Sequence, residues 1–198
     1  MSDHYYSKKP ESQSNPNILE MEILGQTFKI VSDSGVFSKK SLDKGTETLI
    51  KAMPILPTDR VLDWGCGYGI IGLVAATLGK EVEMIDINER AIKLANENIR
   101  VNKIKNACAY QSDGFQQVKS TFDIIVSNPP FRAGKKVVHG LVEEAPLYLV
   151  PDGRLCIVVQ RKQGAESLAK KMNEVFGNIE TLDRSGGYRV LLSQKLTN

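Results

Sequence analysis

Residues 127–131 read "SNPPF" and directly follow the apolar run "FDIIV". One proline is enough to end a strand, because it donates no backbone hydrogen bond. An amide, two prolines and an aromatic ring in succession predict a stiff turn whose carbonyl oxygens point in fixed directions. The Asn128 side-chain oxygen and the Pro129 carbonyl are two such acceptors, Pro130 stiffens the turn, and Phe131 offers a flat face for stacking. The chemistry that suits this set is attack by a planar amine or amide nitrogen on an electrophile. Such a nitrogen is a poor nucleophile because its lone pair is delocalised. As it attacks it becomes tetrahedral and positive, and fixed acceptors on its N–H groups favour that change.

A second stretch, "LDWGCGYGIIG" at residues 62–72, supplies a ligand loop. Glycines let a backbone approach a ligand, a helix N-terminus adds unpaired N–H groups, and open α/β sheets bind ligands at the carboxyl ends of their strands. Gly67, Gly69 and Gly72 fit the dinucleotide pattern G-x-G-x-x-G. Asp63 argues against a dinucleotide, because a carboxylate beside a pyrophosphate repels it. A cofactor carrying an amino group and a sulfonium gives Asp63 positive charge to meet, and S-adenosylmethionine has both. Asp63, Gly65, Cys66, Gly67 and Gly69 are therefore candidate cofactor-binding residues. Asp86, followed by Ile87, ends the next strand where a ribose-binding carboxylate is expected. Asp113, in "QSDGF", is placed for the adenine amino group, although an Asp-Gly pair is also an ordinary turn. For Asp63 the competing role is a helix-capping or loop carboxylate. With a methyl donor in place, Asn128 and Pro129 hold the acceptor amine, and Asn128 is also a candidate cofactor-binding residue. No strong base is required, since the product is an acidic ammonium, and the rate comes from alignment in a dry site.

The elements that must position these residues follow from hydrophobic rhythm. Residues 1–17 read as a tail, and "LEMEILGQTFKIVS" as a β-hairpin turning near Gly25 and Gln26. "SLDKGTETLIKAM" reads as a helix that stops before Pro54 and Pro57. From Arg60 the chain alternates strand and helix: "RVLD", "IIGLVAATLG", "EVEMID", "NERAIKLANENIRVN" with Asn88 as N-cap, "NACAYQ", "FDIIVS". A helix over "VVHGLVEEAPLYLV" must bend or split at Pro146. "GRLCIVVQ" is the next strand, "AESLAKKMNEVFG" the last helix, and "IETLDR" with "YRVLLSQK" a terminal hairpin across Gly186 and Gly187. Near-continuous apolar strands alternating with helices predict a mostly parallel sheet covered on both faces. The fold class is α/β, with residues 18–57 as an N-terminal hairpin and helix and 58–198 as the core of one domain.

The 198 residues suit one domain, and the net charge of +3 permits a nucleic-acid partner without requiring one. No apolar run is long enough to span a bilayer, and the polar N-terminus lacks a secretion signal, so a cytoplasmic location is expected. Three widely spaced cysteines, Cys66, Cys108 and Cys156, fit neither a disulfide framework nor a zinc site. Cys108 and Cys156 are expected to pack as small apolar residues, and Cys66 to pack within the loop. No metal is called for. His139 is taken as structural and Trp64 as loop packing.

"DWGCGYG" together with "SNPPF" resembles the class I S-adenosylmethionine-dependent methyltransferases that act on exocyclic amines. "GVFS", "LDKGTETLI", "DINERA" and "NPPFRAGKKVVHG" narrow the resemblance to the ribosomal RNA small-subunit guanine-N2 methyltransferases, in their methyltransferase small domain. The resemblance implies a Rossmann-like seven-stranded, mostly parallel sheet with the antiparallel C-terminal hairpin at one edge. It also implies that Asp63 to Gly69 bind the methionine part, Asp86 the ribose, and Asn128 with Pro129 the target amine. Phe37 and the Gly45-Thr46 pair are placed to close over the cofactor. Some members carry a further N-terminal domain, which is not expected here, so naked RNA and an assembled subunit both stay open as substrate. Arg132, Lys135 and Lys136 are candidates to hold RNA phosphates beside a flipped-out base, with Arg161 and Lys162 on the same edge. A solvated basic loop is the alternative. Competing functions are a protein glutamine-N5 methyltransferase, another nucleic-acid amino methyltransferase, a non-catalytic RNA-binding module, and a nicotinamide dehydrogenase.

Overall fold

A computed structural model describes residues 16–33, 42–131 and 134–197. The tail up to residue 15, Phe37 and Arg132 lie outside the described residues. Strands β1 (Pro16–Ile23) and β2 (Gln26–Asp33) form the expected hairpin, which already includes Pro16 and Asn17. Leu24 and Gly25 both take positive φ, 51° and 74°, the turn whose twist matches the two strands. Helix α1 (Lys44–Ala52) starts on Asp43, whose carboxylate accepts the Thr46 N–H.

The core follows in alternation: β3 (Arg60–Trp64), α2 (Ile70–Leu78), β4 (Glu81–Asp86), α3 (Glu89–Val101), β5 (Ala107–Gln111), β6 (Phe122–Ser127), α4 (Lys135–Tyr148), β7 (Leu149–Gln160), α5 (Ala165–Phe176), β8 (Glu180–Ser185) and β9 (Tyr188–Gln194). Seven strands make one sheet in the order β5-β4-β3-β6-β7-β9-β8. The first five are parallel, and β9 and β8 join antiparallel. Side chains alternate across the sheet, as the strand period requires. Val61, Ile124, Val126, Cys156 and Val158 pack under α1, α2, α3 and the N-terminal hairpin. Leu62, Ile125, Leu155, Ile157 and Val159 pack under α4 and α5. The strand order reverses between β3 and β6, which places a crevice at their carboxyl ends.

Three local expectations are corrected. Helix α4 runs through Pro146 to Tyr148. The proline sits in the last turn, and the Lys195 ammonium bonds the Pro146 and Leu149 carbonyls at 2.8 and 2.7 Å. Cys108 is exposed on the edge strand β5, whereas Cys156 is buried as expected. Trp64 is the last residue of β3 and is buried, so it belongs to the core.

The hairpin is docked by two asparagines one turn apart, Asn98 on α3 and Asn102 at its C-cap. Asn98, fully buried, accepts the Val31 N–H at 2.6 Å and donates to the Val31 and Tyr68 carbonyls at 3.1 and 2.9 Å. Asn102 does the same for Lys29, at 2.8 and 2.7 Å, at an exposed position. The two amides thus act as a substitute strand along the free edge of β2. Replacing Asn98 by Ala strands buried groups on Val31 and Tyr68 and should cost about 3 kcal/mol. Asn102→Ala, open to water, should cost about 1 kcal/mol. Urea denaturation of both variants checks this, and equal losses would contradict it.

Candidate active site

A cavity of about 740 Å³ opens at the carboxyl ends of β3, β4 and β6. That is within the usual range of small-molecule sites. Its floor is the glycine loop, which is latched at both ends. The Gly65 and Cys66 N–H groups donate to the Ile85 carbonyl at 2.8 and 2.9 Å, and the Gly67 N–H donates to Asp86 Oδ2 at 2.9 Å. Gly65 has φ +74°, and a Cβ built there meets nothing within 4 Å. Gly65 lines the cavity, so any side chain there would project into open space. Ser127, fully buried at the end of β6, donates its hydroxyl to the Trp64 carbonyl at 2.7 Å. That bond ties the "SNPPF" turn to the glycine loop across 63 residues of sequence.

Most of the residues singled out from sequence come together here. Gly65, Cys66, Gly67, Asp86, Ile87, Asp113, Asn128, Pro129, Pro130 and Phe131 all line the cavity, and so does Lys136. Lys135 is exposed at the start of α4, outside the lining. Asp63 and Gly69 are placed differently. Asp63 has no exposed surface and lies beneath the loop, where its Oδ2 accepts the Gly72 N–H at 2.8 Å. Its Oδ1 is buried without a hydrogen-bond partner among the described residues, as is Trp64 Nε1. Asp63 therefore acts on the cavity by holding the loop and by its charge, from behind the lining. Gly69 is the left-handed N-cap of α2, and a Cβ there would come within 3.1 Å of Ala95.

Asp43, Tyr68, Phe115, Glu144, Gln163 and Tyr188 line the cavity and were not singled out. Asp43 carries the ordinary pattern of an N-cap, and Tyr188 arrives from the terminal hairpin, so local sequence hides both. The Tyr188 ring sits where a Cβ on Gly45 would approach it at 2.9 Å. Phe115 stacks on Tyr148 with ring centroids 4.4 Å apart. Phe115, Ile87 and Leu141 all contribute apolar surface to the cavity lining.

Among the described residues, four carboxylates, those of Asp43, Asp86, Asp113 and Glu144, line the cavity against one lysine, Lys136. Burial pushes the Asp86 carboxyl above its ordinary value, against the hydrogen bonds from Asn88, Gly67 and Ile87 that pull it down. A cavity lined this way favours a cation and disfavours a pyrophosphate. Asp63 sharpens the bias. Burial pushes its carboxyl up from 3.8 to about 7; the Gly72 N–H opposes that shift and the Asp86 charge adds to it.

This predicts a pH dependence. Because the folded value exceeds the unfolded one, Asp63 favours folding below about pH 4, and its contribution is lost as pH rises to about 7. Asp63→Asn keeps an acceptor for Gly72 and cannot ionise. Its stability relative to the ligand-free wild type should grow by on the order of 3 kcal/mol between pH 4 and 8. Thermal unfolding across that range measures it, and a constant difference would contradict it.

The methyltransferase small domain model matches residues 27–192. A Bacillus subtilis protein of uncharacterised function, YbxB, is 44% identical over 99% of this chain and 100% of its own length. Ribosomal RNA small subunit methyltransferase C from Aliivibrio fischeri is 34% identical over 89% of this chain, which spans 52% of that enzyme. Among solved structures, the Thermus thermophilus 16S rRNA N2 G1207 methyltransferase in complex with AdoMet and guanosine superposes with a TM-score of 0.82. It is 28% identical, over 94% of this chain and 52% of that one. The acidic cavity, the loop open to a ligand at Gly65 and the apolar side chains in the lining all fit S-adenosylmethionine. The chain belongs to the methyltransferase small domain family, with S-adenosylmethionine as its cofactor.

Proposed function

We propose that the protein methylates an exocyclic amine of RNA, with guanine N2 of small-subunit ribosomal RNA as the acceptor that the named relatives favour. The observation that carries the proposal is the meeting of Asn128 and Pro129 with a carboxylate-lined cavity at the switch point of the sheet. The bound cofactor supplies an electrophilic methyl group on a sulfonium. Asn128 Oδ1 and the Pro129 carbonyl accept the N–H groups of the target amine as it becomes tetrahedral and positive. The Pro129 carbonyl already accepts the Phe131 N–H at 2.9 Å, which fixes its direction and leaves its second lone pair for the substrate. Phe131 and Pro130 hold the ring, and the ammonium product sheds its proton to water.

The rim of the cavity suits a phosphate backbone. Lys135 and Lys136 open α4, and Arg161 and Lys162 form a short 3-10 turn after β7 whose third residue, Gln163, lines the cavity. None of these four cations has a carboxylate partner among the described residues. On the helices away from the rim, Lys51, Lys93 and Arg100 each pair with a glutamate, as does Arg189 on β9. Cations left unpaired around a cavity mouth are available to phosphates.

Incubation with labelled S-adenosylmethionine and small ribosomal subunits or their RNA should yield N2-methylguanine. Asn128→Ala should lower kcat by about 10²–10³-fold while calorimetry shows cofactor affinity unchanged. Label entering protein instead would move the acceptor to a glutamine amide, and no transfer to any RNA would contradict the proposal. Replacing Lys135, Lys136, Arg161 or Lys162 by Gln should each reduce the slope of log affinity against log salt by about 1, alike for all RNA sequences. An unchanged slope would remove that residue from the interface.

A further inference from the structure

We infer that Asp43 and Thr46 are positioning residues that lock the Asn128 side-chain amide in one orientation, nitrogen towards α1 and oxygen towards the cavity. The inference rests on the amine methylation proposed above and adds the residues that make its clamp directional. An asparagine amide has two ends of nearly the same shape and opposite hydrogen-bonding character. Turned one way, Asn128 presents an acceptor to the substrate amine. Turned the other way, it presents two donors to N–H groups and the clamp is lost. Which way it points is decided by its neighbours.

Those neighbours come from the first turn of α1, more than 80 residues away in sequence. Asn128 Nδ2 donates to Thr46 Oγ1 at 3.0 Å and lies 3.4 Å from Asp43 Oδ1, with sequence separations of 82 and 85 residues. A carboxylate accepts hydrogen bonds and cannot donate them, so Asp43 admits only the nitrogen end of the amide. The flipped amide would set its oxygen against that carboxylate. Thr46 is 4% exposed, and Asp43 is itself held in place, because the same Oδ1 accepts the Thr46 N–H at 3.0 Å. Asp43, Thr46 and Asn128 all face the same cavity. The turn that carries Asp43 and Thr46 packs closely on Tyr188 at Gly45. Asp43 therefore has two jobs, capping α1 and setting the polarity of the amide.

Two substitutions separate these jobs. Asp43→Asn preserves the helix cap, since asparagine caps as well as aspartate, but offers the amide a neighbour that donates as well as accepts. Thr46→Val removes the other acceptor without changing charge, and Thr46→Ser restores it. In single-turnover methyl transfer to small-subunit RNA, Asp43→Asn and Thr46→Val should each slow the chemical step about tenfold. KM for RNA should stay within about twofold, and Thr46→Ser should recover most of the rate. If Thr46→Val transfers as fast as wild type, or only Asp43→Asn slows, the orientation lock is wrong. The second result would assign Asp43 a role through charge. Side-chain amide NMR reads the lock without any substrate. Wild-type Asn128 should show two sharp, slowly exchanging NH₂ signals that broaden in Thr46→Val, and freely exchanging signals in wild type would overturn the inference. Wild-type protein that transfers no methyl to RNA would sink the proposed function while the amide signals still decide this point.

Discussion

A carboxylate sealed under a glycine loop governs this site. Asp63 lies near the end of β3 with no exposed surface, one oxygen accepting the Gly72 N–H and the other without a partner among the described residues. Burying a charge this way is costly, and the ligand-free protein answers by favouring the neutral acid. The same burial sets the course of the loop, starts α2 behind it and gives the cavity its acidic floor. A cation bound above the loop would favour ionisation of this carboxyl, whose charge water cannot screen. The group that weakens the empty fold also adds negative charge behind the cavity.

The rest of the site is assembled from three distant parts of the chain. The glycine loop is latched to the end of β4, and "SNPPF" is latched to the loop by Ser127 on the Trp64 carbonyl. The third wall comes from the N-terminal segment. Asn98 and Asn102 dock β2 on α3, and Asn98 also bonds the Tyr68 carbonyl of the glycine loop. Beyond the hairpin, α1 brings Asp43 and Thr46 to Asn128. The hairpin and α1 stand outside the sheet, yet both brace residues that line the cavity.

Much of this was legible in the residues themselves. The alternation of strands and helices was marked by β-branched runs and amphipathic periods, and the loop and the proline turn were marked by residues with few other uses. Depth and long-range placement were not legible. The type of Asp63 suggests contact with a ligand, whereas only packing shows that it lies behind the loop. Asn98 and Asn102 occupy polar positions of an amphipathic helix and resemble a solvated face. Asp43 looks like a helix cap because it is one. Tyr188 reaches the cavity only because β9 lies antiparallel beside β7.

The central claim is that an acidic cavity at the switch point holds a sulfonium cofactor with its methyl group facing the Asn128 and Pro129 oxygens. A crystal structure with S-adenosylmethionine and guanosine tests it most directly. The account predicts the guanine N2 amine within hydrogen-bond distance of both oxygens and the cofactor methyl group on the far side of that nitrogen. Guanosine bound with N2 turned away from Asn128, or the cofactor seated outside the glycine loop, would contradict it.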